Sequence, residues 1–362
     1  MAFSSDILWR TVDGMLAQAD VAGILAHQLA PLAAYRLRRL GEAVPAAFLP
    51  EEQIARTAVM TSIPLLRRVR DLADGPLVLA KGAEVAWLYP GRARSFGDID
   101  LLALESGALH QSLRSAGFVE VEDPNDPLDY RQGEYRHLQP LQAPRLWLQI
   151  EIHRQPIVPD AVQPPPLAEV VEAAGPSALG VEGISAPHPV HHALMLAGHA
   201  WEDRRPLSVL RDLIDVAAVA QHASESELAR TARAWGIAKI WRTTYGAALA
   251  LFGHGRPTAA LQLFGRHLPT VRERRVLDNH LERWLYPFWE LPFHRALLTI
   301  PGTLRKELLP EPGESWSTKL HRTKHALVRP GRPMSTHTES WQRDASDDLA
   351  SPDGHQRTPP VE

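Results

Sequence analysis

Residues 77–82, Leu-Val-Leu-Ala-Lys-Gly, and 97–102, Gly-Asp-Ile-Asp-Leu-Leu, decide how this chain is read. Leu77 to Ala80 is a short apolar run with turn residues on both sides, the pattern of a buried strand. Gly82 follows it, where a helix over Ala83 to Leu88 begins. A glycine there lets the backbone approach a ligand closely, and the first N–H groups of a helix point outward as an anion site. Pro90-Gly91 breaks the helix, and Asp98 to Leu104 reads as a second strand. Alternation along it sets Asp98 and Asp100 on one face and Ile99 on the other. Two acids that close repel each other unless a cation sits between them. A hard divalent ion takes carboxylate oxygens together with phosphate oxygens, so the pair is a natural metal seat. Taken singly, Asp-x-Asp also fits a solvated strand, and Lys81-Gly82 also fits an ordinary strand-to-helix turn.

Working outward, Gly107 to Ala116 reads as a helix and Phe118 to Val121 as a third strand. Two more strands are expected at Tyr135 to Leu141 and Leu146 to His153. The last alternates, with Leu146, Leu148, Ile150 and Ile152 on one side and Trp147, Gln149, Glu151 and His153 on the other. If it lies beside the Asp98 strand, Glu151 completes a three-carboxylate cluster suited to two-metal phosphoryl chemistry. Ile7 to Ala73 has helical spacing punctuated by Pro31, Pro45 and Pro50. Pro50-Glu51-Glu52 marks the start of a helix that runs through Val69 and ends at Asp74-Gly75-Pro76. Helical periodicity returns from Pro189 to Leu309. The expected fold class is therefore α+β, a small mixed sheet flanked by N-terminal and C-terminal helical regions. The expected units are a helical region 1–74, an α/β core 75–156, a Pro-rich linker 157–187, a helical domain 188–310 and a mostly disordered tail 311–362. A short helix is expected within that tail at Leu320 to Leu327.

Composition narrows the chemistry. With 362 residues, 44% of them apolar, the chain has ample material for a core. A net charge of -3 gives no overall basic field, so nucleic acid is not a favoured partner. The absence of Cys excludes disulfides, thiol nucleophiles and Cys-ligated zinc, which leaves carboxylate and imidazole as metal ligands. No secretory leader and no membrane-spanning stretch is evident, so a cytoplasmic protein without a membrane partner is expected. His188, His192 and His199 fall near one helical face shared with small apolar residues and without a suitably spaced acid, which argues against a zinc site. Arg211 and Asp215 read as an i, i+4 pair, and Trp284, Tyr286, Phe288 and Trp289 read as core packing.

The order strand, Lys-Gly, helix, Arg-x-x-Gly-Asp-x-Asp-Leu-Leu, helix, strand with Glu-x-His resembles the nucleotidyltransferase superfamily that includes DNA polymerase β. It is most similar to a bacterial branch of uncharacterised nucleotidyltransferases. The residues that carry the resemblance are Lys81, Gly82, Arg94, Gly97, Asp98, Asp100 and Glu151, with His153 after the acid. His199 and Arg211 to Asp215 are similar to that branch's helical segment. The superfamily usually has Gly-Ser where this chain has Lys81-Gly82-Ala83, so a hydroxyl that commonly contacts phosphate is missing here.

The resemblance implies a nucleotidyltransferase core, Mg²⁺ as two ions (with Mn²⁺ as a substitute), and transfer of an NMP from an NTP, ATP being the expected one. The acceptor it leaves open: a small molecule, a peptide or a carbohydrate. Asp98, Asp100 and Glu151 are then the catalytic and metal-binding residues. Lys81, Gly82, Arg94, Gly97 and His153 are the nucleotide-binding set, with Arg94 either reaching a phosphate or bracing the loop before Asp98. Three other readings stand beside this one. They are a metal-dependent glycosyltransferase using Asp-x-Asp with a nucleotide-sugar, a toxin-like transferase acting on tRNA or protein, and a non-catalytic binding module.

Overall fold

A strand that is apolar on both faces must be covered on both sides, and Leu77–Leu79 (β1) is buried throughout its length. The computed structural model describes residues 4–121, 137–159, 162–202, 206–285, 287–290, 293–310 and 315–328. Within them β1 joins Asp98–Ala103 (β2), Val119–Glu120 (β3), Leu141–Gln142 (β4), Gln149–His153 (β5), Gly175–Pro176 (β6) and Ile184–Ala186 (β7). The sheet order is β3-β4-β5-β2-β1-β7-β6. β2 runs antiparallel to β1 and parallel to β5, and β7 runs parallel to β1, so the sheet is mixed.

The chain begins with helices Ser5–Gln18 (α1), Val21–Ala26 (α2), Ala30–Leu40 (α3) and Leu49–Arg70 (α4). Local signals fix them. Ser4 and Asp20 accept the N-cap bonds from Ile7 N and Gly23 N. α4 has Pro50 and two acids in its first turn and Arg67, Arg68 and Arg70 in its last, matching the dipole at both ends. Around the sheet lie Ala83–Ala86 (α5), Ser106–Ser115 (α6) and Leu167–Glu172 (α7). The helical half comprises Pro189–Glu202 (α8), Leu210–Ala220 (α9), Glu225–Ala234 (α10), Ala238–Phe252 (α11), Ala259–Leu263 (α12), Val276–Leu285 (α13) and Pro287–Glu290 (α14). It ends with Phe293–Leu308 (α15) and Trp316–Val328 (α16).

The sheet separates two cores. Leu77, Leu79, Ile99, Leu101, Ile150 and Ile152 face α4 and α6 through Leu65, Leu66, Val69, Leu109 and Leu113. Val78, Ala80 and Leu102 face the helical half. There α9 is buried on nearly every side, as a helix apolar all round must be. Leu8, Val12 and Leu16 of α1 join this second cluster, so N-terminal and C-terminal helices share one core.

The stretch 157–187 requires a correction. It was expected to be a Pro-rich linker, yet it supplies α7, β6 and β7, and β7 extends the sheet with Leu77 opposite Ile184. Proline marks its turns, but alternation over only three residues, Ile184 to Ala186, is too short to register as a strand from sequence. Within the expected tail, α16 covers the helix placed at Leu320 to Leu327, while 329–362 lies outside the described residues. Of the strand expected at Tyr135 to Leu141, residues 135 and 136 also lie outside them. His137 forms an isolated bridge to His153, and the regular pairing begins at Leu141.

One buried contact ties the N-terminal helices to the helical half. His27 accepts a hydrogen bond from Leu210 N at its Nδ1 and sits 3.0 Å through Nε2 from the Arg272 carbonyl. That pairing fixes a neutral ring protonated on Nε2. His267 stacks on it at 5.3 Å, with its own Nε2 2.9 Å from the Ser208 carbonyl. Burial pushes His27 down to about 4 and His267 down to about 3. The unfolded chain therefore takes up protons first as the pH falls below 6.5, and stability drops until the folded rings protonate too. His27 alone contributes a loss of roughly 3 kcal/mol over that range. Urea unfolding at pH 7 and pH 4 should show this fall, and H27Q, weaker at pH 7, should lose less on acidification. Equal losses in the two proteins would contradict the assignment.

Candidate active site

Parallel pairing of β2 with β5 sets Asp98 opposite Gln149, Asp100 opposite Glu151 and Leu102 opposite His153. Neighbouring strands lie about 4.8 Å apart with in-phase side chains on one face. Asp100 and Glu151 therefore stand side by side, with His153 one pleat further on. β1 brings the third strand: Ala80 N donates to the Asp100 carbonyl at 2.9 Å, which delivers the next residue, Lys81, to the Asp100 side chain.

The resulting cluster is tight. Lys81 Nζ lies 3.3 Å and His153 Nε2 3.0 Å from Asp100 Oδ1, and His153 Nε2 lies 3.7 Å from Glu151 Oε2. Ligand-capable atoms of Asp100, Glu151 and His153 all fall within 4.8 Å of one another. Asp100 is fully buried, and its Oδ2 has no hydrogen-bond partner; nor does His153 Nδ1. A buried carboxylate oxygen left without a donor, among oxygen and imidazole neighbours, fits a divalent cation.

Burial opposes ionisation of all these groups, and their mutual charges decide the outcome. Burial would lower Lys81, but Asp100, Asp98 and Glu151 hold its ammonium above the ordinary lysine range. Burial would lower His153, but its bonds to Asp100 and Glu151 raise it to about 9. Burial would raise Asp100, yet Lys81 and His153 keep it far below the usual carboxylate range. For Asp98, burial and the neighbouring Asp100 both push upward, and its carboxyl is raised.

Several expected site residues take places the sequence did not specify. Asp98 shares the face of Asp100 but is not among the three converging ligands. It begins β2 opposite Gln149, one pleat away from the Glu151 level. Gly97 contributes backbone, its carbonyl accepting from Gln149 N to open the ladder. Gly82 has φ of 56°, and a Cβ there would meet the Asp98 carbonyl at 2.5 Å. Glycine at this position lets the turn pass against the start of β2. His153, expected on the nucleotide side, stands inside the carboxylate cluster. Lys81, expected at the nucleotide, is paired with Asp100.

Arg94 stands in one of the two places expected for it. Its guanidinium is committed to Asp215 of α9, with Nε 2.9 Å from Oδ1 and Nη2 2.7 Å from Oδ2, while Tyr89 Oη donates to the same Oδ1 at 2.6 Å. It thus braces the loop before β2, the other role its position allowed. The sequence reading missed Asp215 as a partner and Tyr89 altogether. The signal was available, because an acid flanked by Leu213, Ile214 and Val216 to Ala220 cannot remain solvated and must find a buried cation. His192 of α8, pushed down to about 4 by burial, is hydrogen-bonded to the Ala80 backbone. Further along the same helix, Gly198 packs on Ile157 and Val158, just beyond β5. α8 thus crosses the carboxylate face, where a protonated His199 would favour the ionised forms of Asp98 and Asp100.

Comparison with known proteins finds one family whose sequence model matches residues 21–253, described as uncharacterised nucleotidyltransferase. Neither the curated proteins nor the solved structures contain a match. The matched segment includes the whole carboxylate cluster and its Arg94–Asp215 brace. Among the described residues no helix is long and apolar enough to cross a membrane.

The brace makes a clear mutational case. Replacing Asp215 with Asn leaves the Arg94 charge buried without its counter-ion, a defect that costs about 3–5 kcal/mol. R94M/D215L removes both charges and should recover most of that loss. Chemical denaturation of the three proteins is the measurement. A double variant no more stable than D215N would show that the pair is not the unit.

Proposed function

The chain belongs to the uncharacterised nucleotidyltransferase family, and from that premise we propose a Mg²⁺-dependent enzyme that moves an NMP from an NTP to an acceptor. The observation that carries this reading is the convergence of ligand atoms of Asp100, Glu151 and His153 within 4.8 Å of one another, with the buried Asp100 Oδ2 left without a hydrogen-bond partner. ATP is the nucleotide to test first. The acceptor is a small molecule, peptide or carbohydrate offering a nucleophilic hydroxyl.

Asp100 and Glu151 would hold the ions, with Asp98 as a third ligand on the same strand face. Bound there, divalent cations would neutralise the triphosphate and steady the departing pyrophosphate. The acceptor oxygen attacks the α-phosphorus, the bond to the pyrophosphate oxygen breaks, and the acceptor proton passes to Glu151 or to water. Lys81 and His153 keep Asp100 ionised in a dry setting, so the seat is ready before ligands arrive. Gly82 lets the strand-to-helix turn pass against the Asp98 carbonyl, and its backbone would face the phosphates of a bound nucleotide. Arg94, held by Asp215, fixes the loop that leads into Asp98 rather than touching the nucleotide.

Incubation of the purified chain with Mg²⁺, a cell extract and each labelled NTP in turn should label a discrete acceptor. Asp100→Asn and Glu151→Gln should lower labelling by at least about 10²-fold, the scale on which transition-state electrostatics act, while far-UV circular dichroism stays unchanged. Titration of metal-free protein with Mn²⁺ should show binding in the wild type that D100N loses. Labelling by both variants at the wild-type rate would defeat the reading.

A further inference from the structure

Beyond the family segment, the last described helices carry an unusual surface. Phe293 and Leu298 of α15 are 68% and 78% exposed, and Trp316 and Leu320 of α16 are 58% and 65% exposed. These two successive helices thus leave four large apolar side chains in water, and on α16 two of them adjoin one another along the helix. Both helices pack on α13, which leaves these side chains turned away from the core. On α16, Trp316 and Leu320 lie one turn apart in a stripe, and Lys319 and Lys324 stand on either side of it. On α15, Arg295 and Arg305 are exposed.

The charge pattern is local. The chain carries a net -3 and only five Lys, yet three of these, Lys306, Lys319 and Lys324, fall within 19 residues. From Ser315 to Thr338 the sequence contains Lys319, Arg322, Lys324, Arg329 and Arg332 and neither Asp nor Glu. A helix with an aromatic and aliphatic stripe between lysines is the arrangement that lies in a lipid–water interface. Its apolar residues enter the headgroup boundary, and its lysines reach back to anionic headgroups. A bilayer also takes such side chains without a matching pocket.

We propose that α15 and α16 dock this protein on an anionic lipid surface. The sequence suggested no membrane partner because it shows no leader and no spanning stretch, and neither reports on a peripheral amphipathic helix.

The test is co-sedimentation of the full chain with vesicles of phosphatidylcholine alone and of phosphatidylcholine mixed with phosphatidylserine, each at low and high salt. Velocity sedimentation without lipid accompanies it. Binding to the mixed vesicles only, weakened by salt, is expected. K319Q/K324Q should weaken it about thirtyfold, since each basic residue at an anionic surface contributes roughly fivefold. W316S/L320S should weaken it similarly. Trp316, Leu320 and Lys324 are exposed and Lys319 is half-buried, so circular dichroism should show both variants folded. The proposal is overturned if the wild type ignores anionic vesicles or if either variant binds like the wild type. It is also overturned if the lipid-free chain forms a dimer that W316S/L320S dissociates, which would make this face a contact between copies.

Discussion

A carboxylate held in a dry interior is the constraint around which this molecule is arranged. Removing an ion from water costs several kcal/mol even after relaxation, and the cost is met only by counter-charges in good geometry. Asp100 receives two, Lys81 and His153, both on the same oxygen. Each arrives by a backbone route: Lys81 because β1 pairs antiparallel to β2, and His153 because β5 pairs parallel to it. The strand order β5-β2-β1 is thus what keeps Asp100 ionised. A slip of one residue in either ladder would turn these side chains to the opposite face, into the apolar cluster around Leu109 and Leu113.

A second buried ion pair differs in a way that separates scaffold from site. Asp215 has both oxygens engaged, by two guanidinium nitrogens and a phenol. It closes on itself and fastens the β2 approach to α9. Asp100 has one oxygen bonded twice and the other not at all. Full satisfaction marks a brace, whereas the unfilled oxygen marks a place where another positive group can enter.

Much of this was legible in the sequence, and the failures have physical reasons. Leu77 to Ala80, Asp98 to Leu104 and Leu146 to His153 announced strands because burial on one or both faces writes a strong local pattern. Gly82 announced a close approach, and the approach is to the Asp98 carbonyl. β7 left no comparable mark, since three residues cannot show a period, and its pairing with β1 joins residues more than a hundred positions apart. Arg94 and Asp215 were each visible but not their union, which is 121 residues long-range. His153 was visible as a neighbour of Glu151, yet its turn toward Asp100 depends on the parallel register, which sequence alone does not set.

The two acids of Asp-Ile-Asp look equivalent on paper and are not equivalent in the fold. Asp100 faces Lys81 and His153 and is held ionised, while Asp98, at the half-buried start of the strand, is raised by burial and by Asp100. Environment has divided one motif into a well-compensated anion and a less compensated one. Lys81 and His153 together supply enough positive charge for Asp100 and Glu151, but little for a third carboxylate. An arriving cation would be the missing counter-charge for Asp98. The fold therefore supplies Asp100 with two close counter-charges and leaves Asp98 less compensated, so the two acids of one motif stand in opposite electrostatic settings.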